Sequence, residues 1–234
     1  MAMIPITEST QVSDIAAAVP ASVRVFQRYG IDFCCGGKVP IGSACEEQGV
    51  SFTEVAGAIR TAAARPARDE RDWATLPLEA LIDHIVATYH DTLREELPRL
   101  RQMAAKVARV HGENAPHLPR LETIVNELSA DMISHMGKEE GALFPAIRAI
   151  AHGSAPSVVP LDAPILMMEH EHELTGAQLA ELRAMTDDYV APSWACQTFQ
   201  ALYEGLSELE ANMHVHVHLE NNVLFPRARD LAHR

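Results

Sequence analysis

The sequence predicts an all-α protein, a C-terminal up-down-up-down four-helix bundle preceded by a small helical domain. Three observations carry this expectation. Aromatic residues make up only 5% of the chain while Ala, Leu, Met and Glu are frequent, a balance that favours helix over sheet. Four long stretches with apolar residues at helical spacing lie near 77–111, 118–149, 162–188 and 194–224. Breakers separate them at Gly112 to Pro119, Gly153 to Pro160 and Asp187 to Pro192, and connections this short favour antiparallel neighbours. Finally, an internal repeat relates the second stretch to the fourth.

At the N-terminus, short helices alternate with turns. Ser13 to Val19 is an apolar stretch stopped at Pro20, and Ala21 to Tyr29 is stopped at Gly30. A turn-rich segment follows from Asp32 to Pro40, holding the adjacent pair Cys34 and Cys35. Ser43 and Glu46 have capping-box spacing, as do Ser51 and Glu54, and the second box opens a helix running to about Arg65. The charged, proline-bearing run that follows reads as a linker. The expected organisation is a helical domain over 1–65, a linker over 66–76 and the bundle over 77–234. Pro98 lies inside the first bundle helix and should kink or split it.

Composition excludes several functions. A formal net charge of −13 argues against nucleic acid or an anionic membrane surface as partner. No stretch approaches the ~18 apolar residues of a membrane span, and no apolar run before Arg24 resembles a secretory signal. Neighbouring cysteines rarely bridge, because the ring is strained, so a reducing, cytoplasmic setting is expected.

The repeat brings in the chemistry. His135 and Glu139 are followed by Leu143-Phe144-Pro145, and His216 and Glu220 by Leu224-Phe225-Pro226. Single histidines, His90 and His172, precede the two copies at similar distances. On a helix, residues four apart share a face, so each copy points one imidazole and one carboxylate the same way. That face is the apolar stripe: Leu121, Leu128, Met132 and Leu143 beside the first pair, and Leu202, Leu209 and Val223 beside the second. His90 falls in line with Ile82, Val86, Leu93 and Leu97, and His172 with Ile165, Met168 and Leu179.

Four imidazoles and two carboxylates thus converge on one apolar core. An uncompensated carboxylate there costs several kcal/mol or stays protonated. Two divalent first-row ions ~3.5–4 Å apart, each Glu able to bridge, remove the problem. A single core histidine is more often merely hydrogen-bonded, but four on four stripes with a repeated carboxylate point to metal.

The remaining residues read differently. His214 and His218 sit well round the helix from His216 and should face away from the ligand face. Were Met213 to Leu219 a strand, the three would share a face and suggest zinc, but the helical context argues otherwise. His111, His117, His152 and His233 lie at ends or loops and read as solvated, and Cys196 as a packed core thiol. Glu171, Glu140 and Asp131 either orient ligands or line a solvated face.

Together these residues resemble the iron–sulfur cluster repair di-iron proteins, the Repair of Iron Centres family. The resemblance covers nearly the whole chain. Tyr29 to Gly37, with Ala44-Cys45 following, is similar to the signature of that family's small N-terminal domain. His135-Met136, Lys138-Glu139-Glu140 and His218-Leu219-Glu220-Asn221-Asn222 with Leu224-Phe225-Pro226 are similar to its hemerythrin-like domain.

The resemblance implies two non-haem irons with an oxo or hydroxo bridge, held by His90, His135, Glu139, His172, His216 and Glu220. It implies repair of iron–sulfur clusters damaged by nitric oxide or oxidative stress, by supplying iron to the damaged proteins. The alternative is a di-iron protein that binds, scavenges or reduces nitric oxide. The matching pair Cys34 and Cys35 is implied to assist repair, against the plainer reading of a tight turn with reduced thiols. Whether the protein is an enzyme stays open, and so does its oligomeric state, with a homodimer through the N-terminal domain as one option.

One departure stands out. Oxygen-carrying hemerythrins pair two histidines four apart on the third helix, whereas the position four after His172 is Gly176. One metal should then have an open position for water, oxygen or nitric oxide. Ferritin-like sites use two Glu-x-x-His pairs, and only Glu169 with His172 fits that spacing.

Overall fold

The computed structural model describes residues 5–64, 72–153 and 161–233. It is all-α. Among the described residues the extended pairing is confined to an isolated bridge between Gln11 and Pro40. Two compact units emerge: Met1–Ile82 with His214–Arg234, and Asp83–Met213.

In the first unit, α1 (Val12–Ala18), α2 (Ser22–Tyr29), α3 (Ile41–Glu47) and α4 (Phe52–Ala63) follow one another. Gly30 ends α2 with φ 65°, and Ile31 N–H returns to the Phe26 carbonyl at 2.9 Å. Such a left-handed cap favours glycine. The Ser43 capping box does not form. Helix α3 opens three residues earlier than that box implies, after Pro40, and its leading N–H groups on Ile41 and Gly42 donate to the carbonyls of Thr10 and Glu8, each at 2.9 Å. Backbone from a neighbouring segment satisfies the orphan donors, so no side-chain cap is needed. Ser51 does occupy the N-cap position of α4, without a side-chain bond.

The core of this unit comprises Val12, Ile15, Phe26, Ile31, Phe33, Ile41, Val55 and Ile59, together with Val223, Leu224, Phe225 and Ala228 from the C-terminal end. Of the expected linker, residues 66–71 lie outside the described residues. The turn that follows is pinned by Arg227, which donates to the carbonyls of Trp73 and Leu76 at 2.6 and 2.7 Å.

The second unit is built from the long helices. Helix α5 (Leu78–Ile85) runs through a π-helical turn, Val86–His90, into α6 (Asp91–His111). Helix α7 (Leu118–Lys138) continues through a second π turn, Glu139–Leu143, into α8 (Phe144–Ala151). Then come α9 (Asp162–Met185) and α10 (Gln197–His218); a third π turn, Leu219–Leu224, leads to α11 (Phe225–Ala232). Helices α6, α7, α9 and α10 are the four bundle helices.

Pro98 does not split α6, which is continuous past it. The interruption lies at the π turn instead. The buried side chains recur every three to four residues: Leu93, Leu97, Leu100, Ala104 and Val107 on α6; Leu121, Val125, Leu128 and Met132 on α7; Ile165, Met168, Leu179 and Leu182 on α9; Phe199, Leu202, Leu206, Leu209 and Met213 on α10. A short pair, Arg183 with Glu210 at 2.7 Å, satisfies a carboxylate buried near one end.

Candidate metal centre

Three of the four ligand-bearing stretches widen into a π turn where the ligands sit. His90 ends the first π turn, Glu139 opens the second and Glu220 is the second residue of the third. Two have a local cause in the repeat. Pro145 and Pro226 lack an N–H, and an α-helical path would drive their rings against the carbonyls of Gly141 and Asn222. Widening the preceding turn relieves that conflict, and π turns recur at functional sites for this reason.

Within the unit Asp83–Met213, His90, His135, Glu139 and His172 come together, each at most 2% exposed. His90 donates through Nδ1 to Glu140 Oε1 at 2.7 Å, and His135 through Nδ1 to Glu171 Oε2 at 2.9 Å. Burial opposes ionisation of Glu140, but hydrogen bonds from His90 and Arg94 outweigh it and hold its carboxyl below the usual range. Glu171 follows the same pattern, burial being outweighed by Lys138 and His135. Both acids are therefore ionised acceptors, which hold Nδ1–H of each imidazole and turn Nε2 of His90 and His135 toward the interior.

Those nitrogens face a carboxylate. His90 Nε2 lies 3.3 Å from Glu139 Oε2, and His135 Nε2 lies 3.4 Å from Glu139 Oε1. His172 Nε2 is 3.0 Å from His135 Nε2. Neither oxygen of Glu139, which is fully buried, accepts a hydrogen bond among the described residues. A buried carboxylate without donors is costly. A cation among these atoms offsets that cost. The donor set, imidazole nitrogen with carboxylate oxygen, suits a first-row divalent ion. His135, Glu139 and His172 each offer an atom within 4.8 Å of the others.

In the unit Met1–Ile82 with His214–Arg234, His216 Nε2 lies 3.1 Å from Glu220 Oε1, both residues fully buried. The Cys34–Cys35 turn is tethered to the two residues that follow Glu220. Asp32 shapes the turn: its carboxylate accepts from the N–H groups of Cys34, Cys35 and Gly36 at 2.8, 3.1 and 2.8 Å. Gly37 must be glycine, since a Cβ there would stand 2.9 Å from the Phe33 carbonyl oxygen. Asn222 Nδ2 donates to the Phe33 carbonyl at 2.9 Å, and Asn221 Nδ2 to the Cys34 carbonyl at 3.4 Å. The turn thus hangs from residues adjoining Glu220.

Cys34 and Cys35 are free thiols with sulfurs 3.7 Å apart. A hydrogen bond to Cys35, aided by burial, pushes the Cys34 thiol well above its ordinary range. Cys34 is the protonated donor of the pair, and half-buried Cys35 is the thiol nearer solvent.

Several side chains differ from expectation or were not singled out. His218 faces away from the ligand side as expected, yet it is 4% exposed, its ring 5.6 Å from Phe33. Burial lowers its pKa to about 4. Asn221 and Asn222 were read only as part of a motif, with no sequence signal for their docking role. The Asp32 turn was legible in principle, as an Asx turn before two glycines. His117 and His111 are not simply solvated: His117 Nε2 pairs with Tyr203 Oη at 2.7 Å, and His111 Nε2 with Cys196 Sγ at 3.3 Å. Cys196 is exposed rather than packed in the core. Met213 to His218 is helix, which removes the strand-based zinc arrangement.

A helical bundle with a buried His/Glu cation cluster defines the hemerythrin-like class. The model of the hemerythrin HHE cation-binding domain matches residues 81–228, and that of a domain of unknown function, DUF542, matches residues 8–63. A relative named iron–sulfur cluster repair protein YtfE from Pectobacterium atrosepticum is 40% identical over 219 residues, covering 92% of this chain and 94% of its own. One of the same name from Yersinia pseudotuberculosis is 40% identical over 217 residues, with the same coverage. The chain belongs to the family of these iron–sulfur cluster repair proteins. Among the described residues no helix is long and apolar enough to cross a membrane.

Proposed function

We propose that the protein repairs iron–sulfur clusters damaged by nitric oxide or oxidative stress, supplying iron from a di-iron centre. His90, His135, Glu139, His172, His216 and Glu220 hold the two irons. The observation carrying this reading is Glu139, buried with neither oxygen accepting a hydrogen bond among the described residues and with two imidazole nitrogens 3.3 and 3.4 Å away. When bound, the metal pair supplies transferable iron and redox equivalents. The chain's own part is to orient the imidazoles through Glu140 and Glu171 and to exclude water with apolar neighbours.

Gly176, standing where hemerythrins place another histidine, would leave one metal with fewer protein ligands and an open position. That suits release of iron better than reversible oxygen carriage. The same opening favours a second reading, in which nitric oxide binds the centre as ligand. Four free cysteines fit a reducing compartment, the cytoplasm.

The test is metal analysis and Mössbauer spectroscopy of anaerobically purified protein, wild type and Glu139→Ala. About two coupled irons per chain, lost in the variant, are expected. Zinc alone, or metal indifferent to Glu139, refutes the ligand assignment. Reactivation of a nitric-oxide-damaged iron–sulfur enzyme then separates the readings. No gain over free ferrous iron refutes iron supply and leaves nitric oxide binding.

A further inference from the structure

The loop before α10 sets a thiol beside an imidazole within the unit Asp83–Met213. Cys196 immediately precedes Gln197, the first residue of α10, and its carbonyl accepts the N–H of Gln200 at 3.0 Å. The thiol is exposed and lies 3.3 Å from His111 Nε2. His111 is held in place: its ring centroid sits 5.8 Å from that of Trp194 and 5.6 Å from that of Phe199. Its backbone is tied too, its carbonyl accepting from Asn114 and Ala115 at 3.0 and 2.9 Å. A nucleophile and a base within hydrogen-bond reach, the base oriented by a third group, is the arrangement of an activated thiol.

The surroundings suggest the co-reactant. Lys106 Nζ lies 3.3 Å from Thr198 Oγ1, two residues after Cys196 in the first turn of α10, so an ammonium stands at the same helix end as the thiol. Trp194, 49% exposed, offers an apolar face alongside. The other thiols are less available: Cys34 and Cys45 are buried, and Cys35 is half-buried. His111 lies about 30 Å along the helix from His90 at ~1.5 Å per residue, so this chemistry is separate from the metal ligands.

We propose that Cys196 and His111 form a thiol–disulfide exchange site for small disulfides that carry carboxylates. Cys196 Sγ attacks one sulfur of the disulfide as His111 Nε2 takes the thiol proton. A new S–S bond joins Cys196 to that half, and the old S–S bond breaks with its electron pair on the leaving sulfur. His111 returns the proton to that leaving thiolate. Cys196 is oxidised to the mixed disulfide and the co-reactant is reduced to one thiol, so no further oxidant is needed.

The test uses iron-loaded protein and glutathione disulfide as probe at pH 7, with mass mapping of each cysteine peptide over time. Cys196 is expected to gain the adduct ahead of the other three thiols. In His111→Phe, which keeps the ring packing, the rate should fall about tenfold, a modest factor because a free thiol is already slightly ionised at this pH. His111→Gln, which cannot act as base, should fall equally. Lys106→Ser should slow glutathione disulfide but leave neutral 2-hydroxyethyl disulfide unchanged. Cys196→Ser should retain full iron content, so the outcome does not depend on the metal assignment. An unchanged Cys196 rate in both His111 variants, or an adduct on Cys35 with Cys196 bare, overturns the exchange site. An equal Lys106 effect on both disulfides overturns the preference for carboxylates.

Discussion

Single side chains set the chemistry of the buried cluster. Glu140 is half-buried and bonded to Arg94 as well as to His90, so it holds the His90 ring in the orientation that aims Nε2 inward. Glu140→Ala should keep helix content and weaken iron affinity about 10–100-fold, the usual cost of losing such a partner, read by competition with a chelator. An unchanged affinity would show that packing alone orients His90. Of the three acids singled out from the sequence, Glu140 and Glu171 bond to the proposed ligands His90 and His135, whereas Asp131 is exposed and accepts from Gln178 at 3.4 Å. Sequence proximity to a ligand could not separate them, because the outcome depends on which neighbouring helix each acid meets. Gly176 belongs to the same scale. Gly176→His adds an imidazole one helical turn beyond His172 and should slow iron loss to a chelator several-fold, as an added ligand would. An unchanged rate would mean that this position is not the open side of the centre.

At the scale of elements, the ligands are placed by departures from the ideal helix. The apolar stripe in the sequence assumes a steady turn, and with it Val86 should share the buried face of His90. Val86 is only half-buried, and Ile85 takes the core position, because a π turn shifts the register between them. The prolines after both His/Glu pairs were visible in the sequence as part of a repeat, but not as the reason for widening. The Cys34–Cys35 turn is likewise positioned by a partner distant in sequence. Asn222 donates to the Phe33 carbonyl and pairs with His218 Nδ1, each at 2.9 Å. Asn222→Ala should cost about 1–2 kcal/mol, with faster amide exchange at Cys34, Cys35 and Gly36, since a buried hydrogen-bonding group loses its partner. Iron content is expected to stay the same. Unaltered exchange at the turn would show that Asp32 alone maintains it.

For the whole molecule, the metals and the fold should be thermodynamically linked. Ions that bind the folded chain and not the unfolded one stabilise it by about 4 kcal/mol at a thousandfold excess over the dissociation constant. Iron removal by an anaerobic chelator should therefore lower the thermal midpoint by about 10 °C for a chain of this size. Ferrous iron should restore it. A midpoint unmoved by chelation would mean that the buried carboxylates are satisfied without metal. The direction is reinforced by composition: a net charge of −13 makes compaction costly, and the proposed pair of divalent ions would offset part of that self-repulsion.

The sequence by itself determined the helical class, the long bundle helices and the segregation of four histidines and two glutamates onto apolar stripes. Helical periodicity and residue repeats are local, and they are written directly in the order of residue types. His90, His135, Glu139 and His172 are found buried together because hydrophobic burial of their stripes carries them there. Only the tertiary structure decided which acids orient the imidazoles, where α3 begins, that His218 is buried against Phe33, and that Cys196 is exposed beside His111. Each depends on a partner from another element. Hydrogen-bond satisfaction among distant groups is settled when helices pack, and no local pattern encodes it.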